Sequence, residues 1–238
     1  MRPPRKSRGG GPGGDSRRER GHGHGHGQGQ QRQGRPQRPQ QQQRNRPQQQ
    51  NRPPQPSQQQ PAGPTTQLFF AVWPAAEIQE TLGGVAQRTQ RECGGQATPV
   101  HNIHLTLVFL GPVAYERLIE LERLAEQVGA PRFALAVDRV EYWRHNNIAW
   151  AGFEECPEAL RALVGQLEKT LAAAGFRLDQ RPYVPHVTLL RDARRAPAQG
   201  RLPQPVAWPV EEFALVESVQ LDNSRVYEVL HRWPLTGS

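Results

Sequence analysis

Residues 65–238 of this chain read as a single α+β domain built around antiparallel sheet, and three observations carry that reading. Residues 1–64 contain no Leu, Ile, Val, Phe, Trp or Tyr, so they cannot bury enough apolar surface to offset the entropy of ordering. Beyond them, strand-like and helix-like runs interleave without the strict alternation of a doubly wound fold. A short segment, His-x-Thr followed by an apolar residue, occurs at His104 and again at His186, each time after a helical stretch, as an internal duplication would give.

The elements follow in order. At Gln67 the composition switches abruptly to QLFFAVW, an apolar run of the kind that makes a buried strand. Residues 75–92 place Ile78, Leu82 and Val85 at helical spacing, weakened by Gly83 and Gly84. Residues 103–110 (IHLTLVFL) are strand-like and end at Gly111-Pro112; residues 115–128 then put Leu118, Leu121, Leu124, Ala125 and Val128 on one helical face. Alternation over 132–143, turn chemistry at His145-Asn146-Asn147 and the run IAWAGF predict a hairpin over 132–153. Leu160, Leu163, Val164, Leu167 and Leu171 define a helix over 158–174 that stops at Gly175. Strands are expected at 183–190 (YVPHVTLL), 213–221 and 226–233.

The formal charge of +8 suggests a nucleic-acid binder until it is divided along the chain. Residues 1–64 hold twelve Arg and one Lys against Asp15 and Glu19, a net +11, whereas the remainder holds 17 basic and 20 acidic residues, a net −3. The basic excess is thus a property of the Arg/Gln/Gly/Pro-rich tail, which reads as disordered and suited to sequence-independent contact with RNA phosphates. His22, His24 and His26 alternate with glycine in that tail, but imidazoles on a flexible tract lack a fixed geometry and make a weak metal site. Pro36-Gln37-Arg38-Pro39 matches PxxP in a tract where proline is common throughout. Cys93 and Cys156 are too few for a disulfide framework and lack zinc spacing, which fits a reducing compartment. The chain has no apolar run long enough to span a bilayer and no apolar core of a signal peptide, so neither membrane spanning nor secretion is expected.

Chemistry centres on Ile103-His104-Leu105-Thr106-Leu107 and Pro185-His186-Val187-Thr188-Leu189. With eight histidines and nine threonines in the chain, chance supplies about 0.3 such triplets, so two inside strand-like runs carry meaning. Side chains two apart on a strand share a face. Each motif therefore presents an imidazole and a hydroxyl together while Leu105 and Leu107, or Val187 and Leu189, face the core. Two copies facing one another put two histidines across one cleft. Opening a phosphodiester requires a base for the attacking hydroxyl and an acid for the departing alkoxide on the far side of phosphorus, and two imidazoles serve as both. The threonine hydroxyls donate to non-bridging oxygens, where charge must be held. No metal or other cofactor is required. His101, His145 and His231 read as loop, turn or surface positions.

The paired motifs, the opening LFFAVWP, the segment NIHLTLVFLG at 102–111 and the segment RPYVPHVTLLR at 181–191 resemble the 2H phosphoesterase superfamily, most closely its bacterial RNA 2′,3′-cyclic phosphodiesterases, historically called 2′-5′ RNA ligases. The likeness covers residues 67–235. It implies a bilobal α+β fold with pseudo-two-fold symmetry and a central cleft in which a terminal 2′,3′-cyclic phosphate of RNA is opened to a 2′-phosphate. It further implies that His104 donates a proton to the departing 3′ oxygen, that His186 activates water, that Thr106 and Thr188 bind phosphate, and that the reverse reaction joins RNA ends through a 2′-5′ linkage. Relatives often carry a basic or aromatic residue shortly before the first motif and a basic one two before the second histidine; here those places read Gly94 to Val100 and Val184. Arg181, Tyr183 and Arg191 are then candidates to hold phosphate or stack on a base. The expected protein is a cytoplasmic monomer acting on cyclic-phosphate-ended RNA. The alternatives are a non-catalytic RNA-end-binding module and a phosphodiesterase of small cyclic or 2′-5′ nucleotides.

Overall fold

The computed structural model describes residues 63–197, 200–222 and 224–237. The tail expected at residues 1–64, with its His and PxxP segments, lies outside the described residues except for Gly63 and Pro64.

Among the described residues, nine strands and three α-helices follow in the order β1 (Thr65–Val72), α1 (Ala76–Cys93), β2 (Gln96–Ala97), β3 (Leu105–Ala114), α2 (Leu118–Ala125), β4 (Phe133–Trp143), β5 (Ile148–Gly152), α3 (Glu158–Ala173), β6 (Val187–Arg191), β7 (Arg201–Val210), β8 (Glu212–Leu221) and β9 (Ser224–Pro234). They form two sheets, β3-β1-β8-β9 and β2-β6-β5-β4-β7, in which every strand pairing is antiparallel. Leaving β2 aside, the sheets correspond in plan: β3 matches β6, β1 matches β5, β8 matches β4 and β9 matches β7. In each half a strand, a helix and an antiparallel partner strand follow one another (β1-α1-β3 and β5-α3-β6), and that partner strand carries the His-x-Thr motif. The duplication expected from the two motifs is thus a duplication of topology.

From Leu68 to Val72 β1 is buried on both faces, which is why that part of its sequence is continuously apolar. Leu68, Phe70 and Val72 enter the main core, while Phe69 and Ala71 join Ala214 and Val216 in a smaller cluster on the opposite face. The helices then knit the halves together. α1, which follows β1 of the first sheet, packs on β6 and β7 of the second, and α3, which follows β5 of the second, packs against β3 of the first. Each motif strand is therefore backed by the helix of the other half. On α3 the buried stripe is the expected one, with Leu160, Leu163, Val164, Leu167 and Leu171 each almost wholly enclosed; truncating any of these leucines to Ala costs about 2–5 kcal/mol.

Gly83, which weakens α1 by propensity, has a packing reason: a Cβ there would lie 2.7 Å from Cγ2 of Val100. The missing side chain lets the 3-10 turn Val100–Asn102, and with it the approach to His104, lie close against the helix.

Several boundaries differ from the sequence reading. β3 continues through Gly111-Pro112 to Ala114, because Gly111 takes up a positive φ of 72° where the pairing with β1 shifts and because an edge strand tolerates a residue without N–H. The helix expected over 115–128 is shorter, since Tyr115–Arg117 winds as a 3-10 turn and α2 ends at Ala125. The strand expected from Tyr183 begins only at Val187. β7 is an addition; its Pro203, Pro205 and Pro209 argue against a strand, yet it lies at the edge of its sheet, where proline is admitted. Among the described residues no helix is long and apolar enough to cross a membrane, and Cys93 and Cys156 are unpaired.

Candidate active site

Both histidines stand one residue ahead of their motif strands and are fixed in the same way. The Nδ1–H of His104 donates to the carbonyl of Asn102 at 2.7 Å, and that of His186 donates to the carbonyl of Val184 at 2.8 Å. A carbonyl only accepts, so Nδ1 carries the hydrogen in each neutral ring and Nε2 is unprotonated and able to accept a proton. The supports behind them differ. Asn102 is buried, its Nδ2 donates to the carbonyl of Arg225 at 2.8 Å, and Gln79 Nε2 donates to the carbonyl of Ile103 at 3.1 Å. At Val184 only the backbone is used, and its side chain is exposed.

The alternation along each motif is as expected. Leu105, Leu107, Val187 and Leu189 are buried, while His104, Thr106, His186 and Thr188 are half-buried. Nε2 of His104 lies 3.1 Å from Oγ1 of Thr106. All four side chains line one cavity of about 610 Å³, together with Arg191.

Arg191 reaches that cavity through a bulge. In the β5–β6 pairing Thr188 faces Trp150 and Leu190 faces Ala149, so Leu189 is an extra residue. Leu189 and Leu190 both enter the core, and Arg191 returns to the face of Thr188. In the β1–β3 pairing Thr106 faces Ala71 and Val108 faces Phe70, so Leu107 is extra and Phe109 returns to the cleft. The two motifs are thus longer than they first read: His104, Thr106 and Phe109 in one half match His186, Thr188 and Arg191 in the other.

Of the other candidates, Tyr183 donates its hydroxyl to the carbonyl of Thr106 at 3.1 Å, tying the approach to His186 to the opposite motif; burial, first of all, raises its hydroxyl pKa above the ordinary range. Arg181 is exposed and bound by Asp179, with Nε 2.9 and 3.0 Å from the two carboxylate oxygens. Tyr183 and Arg181 both border a second cavity of about 470 Å³, which meets the first at Thr106, Phe109 and His186. Arg191 itself is exposed.

The surroundings of the rings were not legible in the sequence. His104 stacks on Trp73 (5.3 Å between centroids, 8° between planes), with Phe69 at 4.9 Å and the edge of Tyr227 at 5.1 Å. His186 meets Trp143 at 4.6 Å and Trp150 at 6.1 Å, both edge-on. His145, expected in a turn, is in one, but it also borders the second cavity. The one sequence signal for the missed Phe109 is its place three positions after Thr106, as Arg191 stands three after Thr188.

Burial lowers the His104 pKa to about 4, against the hydrogen bond to Asn102 and assisted by repulsion from His186 whenever that ring is protonated and from Arg191. The pKa of His186 is lowered as well, again chiefly by burial and then by Arg191. The free cleft therefore holds two neutral imidazoles beside a guanidinium, an arrangement that takes up a proton together with an anion. Among the described residues no three His, Cys, Asp or Glu side chains gather as metal ligands do.

The chain is similar in sequence and fold to known proteins. Residues 74–221 match the family described as the 2′-5′ RNA ligase superfamily. The RNA 2′,3′-cyclic phosphodiesterase of Escherichia coli K12 is 34% identical over 173 residues, covering 71% of this chain and 97% of that protein. The protein of the same name from Thermus thermophilus is 34% identical over 188 residues, covering 72% and 91%. Among solved structures, E. coli LigT in complex with 3′-AMP matches with a TM-score of 0.66 and 34% identity, over 72% of this chain and 99% of that one.

Proposed function

The chain belongs to the 2′-5′ RNA ligase superfamily, and from that premise we propose that it is an RNA 2′,3′-cyclic phosphodiesterase that opens terminal cyclic phosphates to 2′-phosphates. The observation that carries the proposal is the pair of imidazoles lining one cavity, each with Nδ1 held by a carbonyl two residues back and Nε2 unprotonated in the neutral ring. His186 accepts a proton from water as its oxygen bonds to phosphorus; the bond from phosphorus to O3′ breaks, and His104 delivers a proton to O3′. The hydroxyls of Thr106 and Thr188 and the guanidinium of Arg191 hold the non-bridging oxygens as charge builds on them.

The lowered pKa of His104 adds a condition to this assignment. A donor must first be protonated, and the dianionic character that develops at phosphorus raises the pKa of an adjacent imidazole. The acid is therefore charged by its substrate. With a 5′-hydroxyl in place of water, the same proton transfers form a 2′-5′ linkage. Arg181 and Tyr183 belong to the wall next to His186, the first as a contact for RNA and the second as a tie between the motifs. We further propose that the +11 tail of residues 1–64 draws RNA phosphates to a monomeric enzyme in the cytoplasm.

An oligonucleotide ending in a 2′,3′-cyclic phosphate, incubated with the protein in EDTA, tests the reading. A 2′-phosphate end is expected; an unaltered end would indicate an RNA-end binder, and a strict need for metal would contradict the mechanism.

A further inference from the structure

The 610 Å³ cavity differs in charge from the domain that encloses it. Residues 65–238 carry 17 basic and 20 acidic residues, yet two arginines and no aspartate or glutamate line this cavity. Arg191 ends β6 of the second sheet, and Arg225 stands at the start of β9 of the first. Among the described residues neither guanidinium lies within ion-pairing distance of a carboxylate, whereas Arg117, Arg139, Arg181, Arg201 and Arg232 each do. A cavity with two cations and no counter-charge suits a ligand with more than one negative charge.

A cyclic phosphate brings a single negative charge, and Arg191, on the face of Thr188, meets it. Arg225 is left over. It is paired directly with Gln220 across the β8–β9 hairpin, and the next such pair, Ser218 and Tyr227, lines the cavity beside it. This wall lies on the His104 side: the edge of Tyr227 meets the His104 ring at 5.1 Å. The backbone ties it there as well. The Arg225 carbonyl accepts from Asn102 Nδ2 at 2.8 Å, and the Asn102 carbonyl accepts from Nδ1 of His104 at 2.7 Å. In a ribose, C3′ with its O3′ adjoins C4′, which bears C5′ and O5′, whereas C2′ with its O2′ adjoins C1′, which bears the base. A histidine that serves O3′ therefore stands on the O5′ side of the sugar.

We propose that Arg225, with Gln220 and Ser218 beside it, forms a subsite for the phosphate on O5′ of the terminal nucleoside. This rests on the phosphodiesterase reading and on His104 as the acid for O3′. The last nucleoside of an RNA chain carries that phosphate, and a free nucleoside 2′,3′-cyclic phosphate does not. The subsite thus selects chain ends over mononucleosides, through charge-assisted hydrogen bonds from the guanidinium to phosphate oxygens. Arg225 is exposed, as suits a group at the rim where the rest of the chain leaves the cavity.

The test supplies the full chain with adenosine 2′,3′-cyclic phosphate and with its 5′-phosphorylated form, and measures kcat/KM for opening the ring of each. The unaltered protein should favour the 5′-phosphorylated substrate about tenfold or more. Arg225→Gln should bring the ratio to within about twofold of one, and Arg225→Lys should recover part of the preference. Because the reacting group is the same in both substrates, general damage to a variant cancels in the ratio. The tail is the same in every variant, so its charge does not produce the difference. A ratio near one in the unaltered protein, or a preference that Arg225→Gln leaves intact, overturns the subsite and leaves the hydrolase reading standing. Opening of neither substrate by the unaltered protein overturns both.

Discussion

The two halves of the domain hold the same device in different surroundings. In each, a histidine ahead of a strand gives its Nδ1–H to the carbonyl two residues back, and a bulge after the threonine turns one more side chain into the cleft. The His104 half adds a face-on tryptophan, a phenylalanine, a tyrosine edge and a buried asparagine behind the carbonyl. The His186 half has tryptophan edges and a loop carbonyl whose neighbour Tyr183 is tied to the opposite motif, and its extra side chain is Arg191 where the first half has Phe109. Duplication thus supplies two imidazoles held in the same way, set among different neighbours.

Removing either member of the pair should have the largest effect. His104→Ala and His186→Ala are each expected to lose on the order of 10² to 10⁴ in kcat, about 3–5 kcal/mol of barrier, measured on a cyclic-phosphate-ended oligonucleotide. A large loss in one and a small loss in the other would break the equivalence of the halves. Thr106→Val and Thr188→Val, which keep shape and remove the hydroxyl, should each lower kcat by about 10².

The asymmetry has its own signature in stability. His104 titrates at about 4 in the folded protein and at about 6.5 when unfolded. Above 6.5 neither state is protonated and folding bears no penalty. As pH falls from 6.5 towards 4 the unfolded chain takes up a proton that the native ring refuses, so stability declines by up to roughly 3 kcal/mol. Denaturant melts across this window should show His104→Gln losing less stability than the parent protein; equal slopes would mean that burial does not hold the ring neutral. Tyr183→Phe should cost about 1 kcal/mol, the worth of one hydrogen bond to the Thr106 carbonyl, seen as a lower denaturant midpoint with an unchanged slope.

The sequence made the frame readable wherever periodicity and burial agree. α3 has its five apolar positions on one stripe, and β1 is apolar from Leu68 to Val72 because both of its faces are covered there. It failed where tertiary position overrides local preference: the prolines of β7 argue against a strand that its edge location allows. The helix over Gly83 is expected and is there, and the reason for its glycine lies in the packing of Val100. The histidines and threonines could be read because strand alternation is a local rule. Phe109 and Arg191 could not be placed together without the bulges, which exist only in the pairing with β1 and β5. The aromatic rings about His104 come from Phe69 and Trp73 at the start of the domain and Tyr227 near its end, and no local pattern joins them.

In the proposed mechanism both imidazoles address one phosphate group. Imidazole ¹⁵N spectra recorded as a function of pH, with and without 2′-AMP, test it most directly. Both His104 and His186 should show Nδ1–H tautomers in the free protein, and both should titrate at higher pH once the nucleotide is bound, with the larger change at His104. A response confined to one of the two rings would contradict the account.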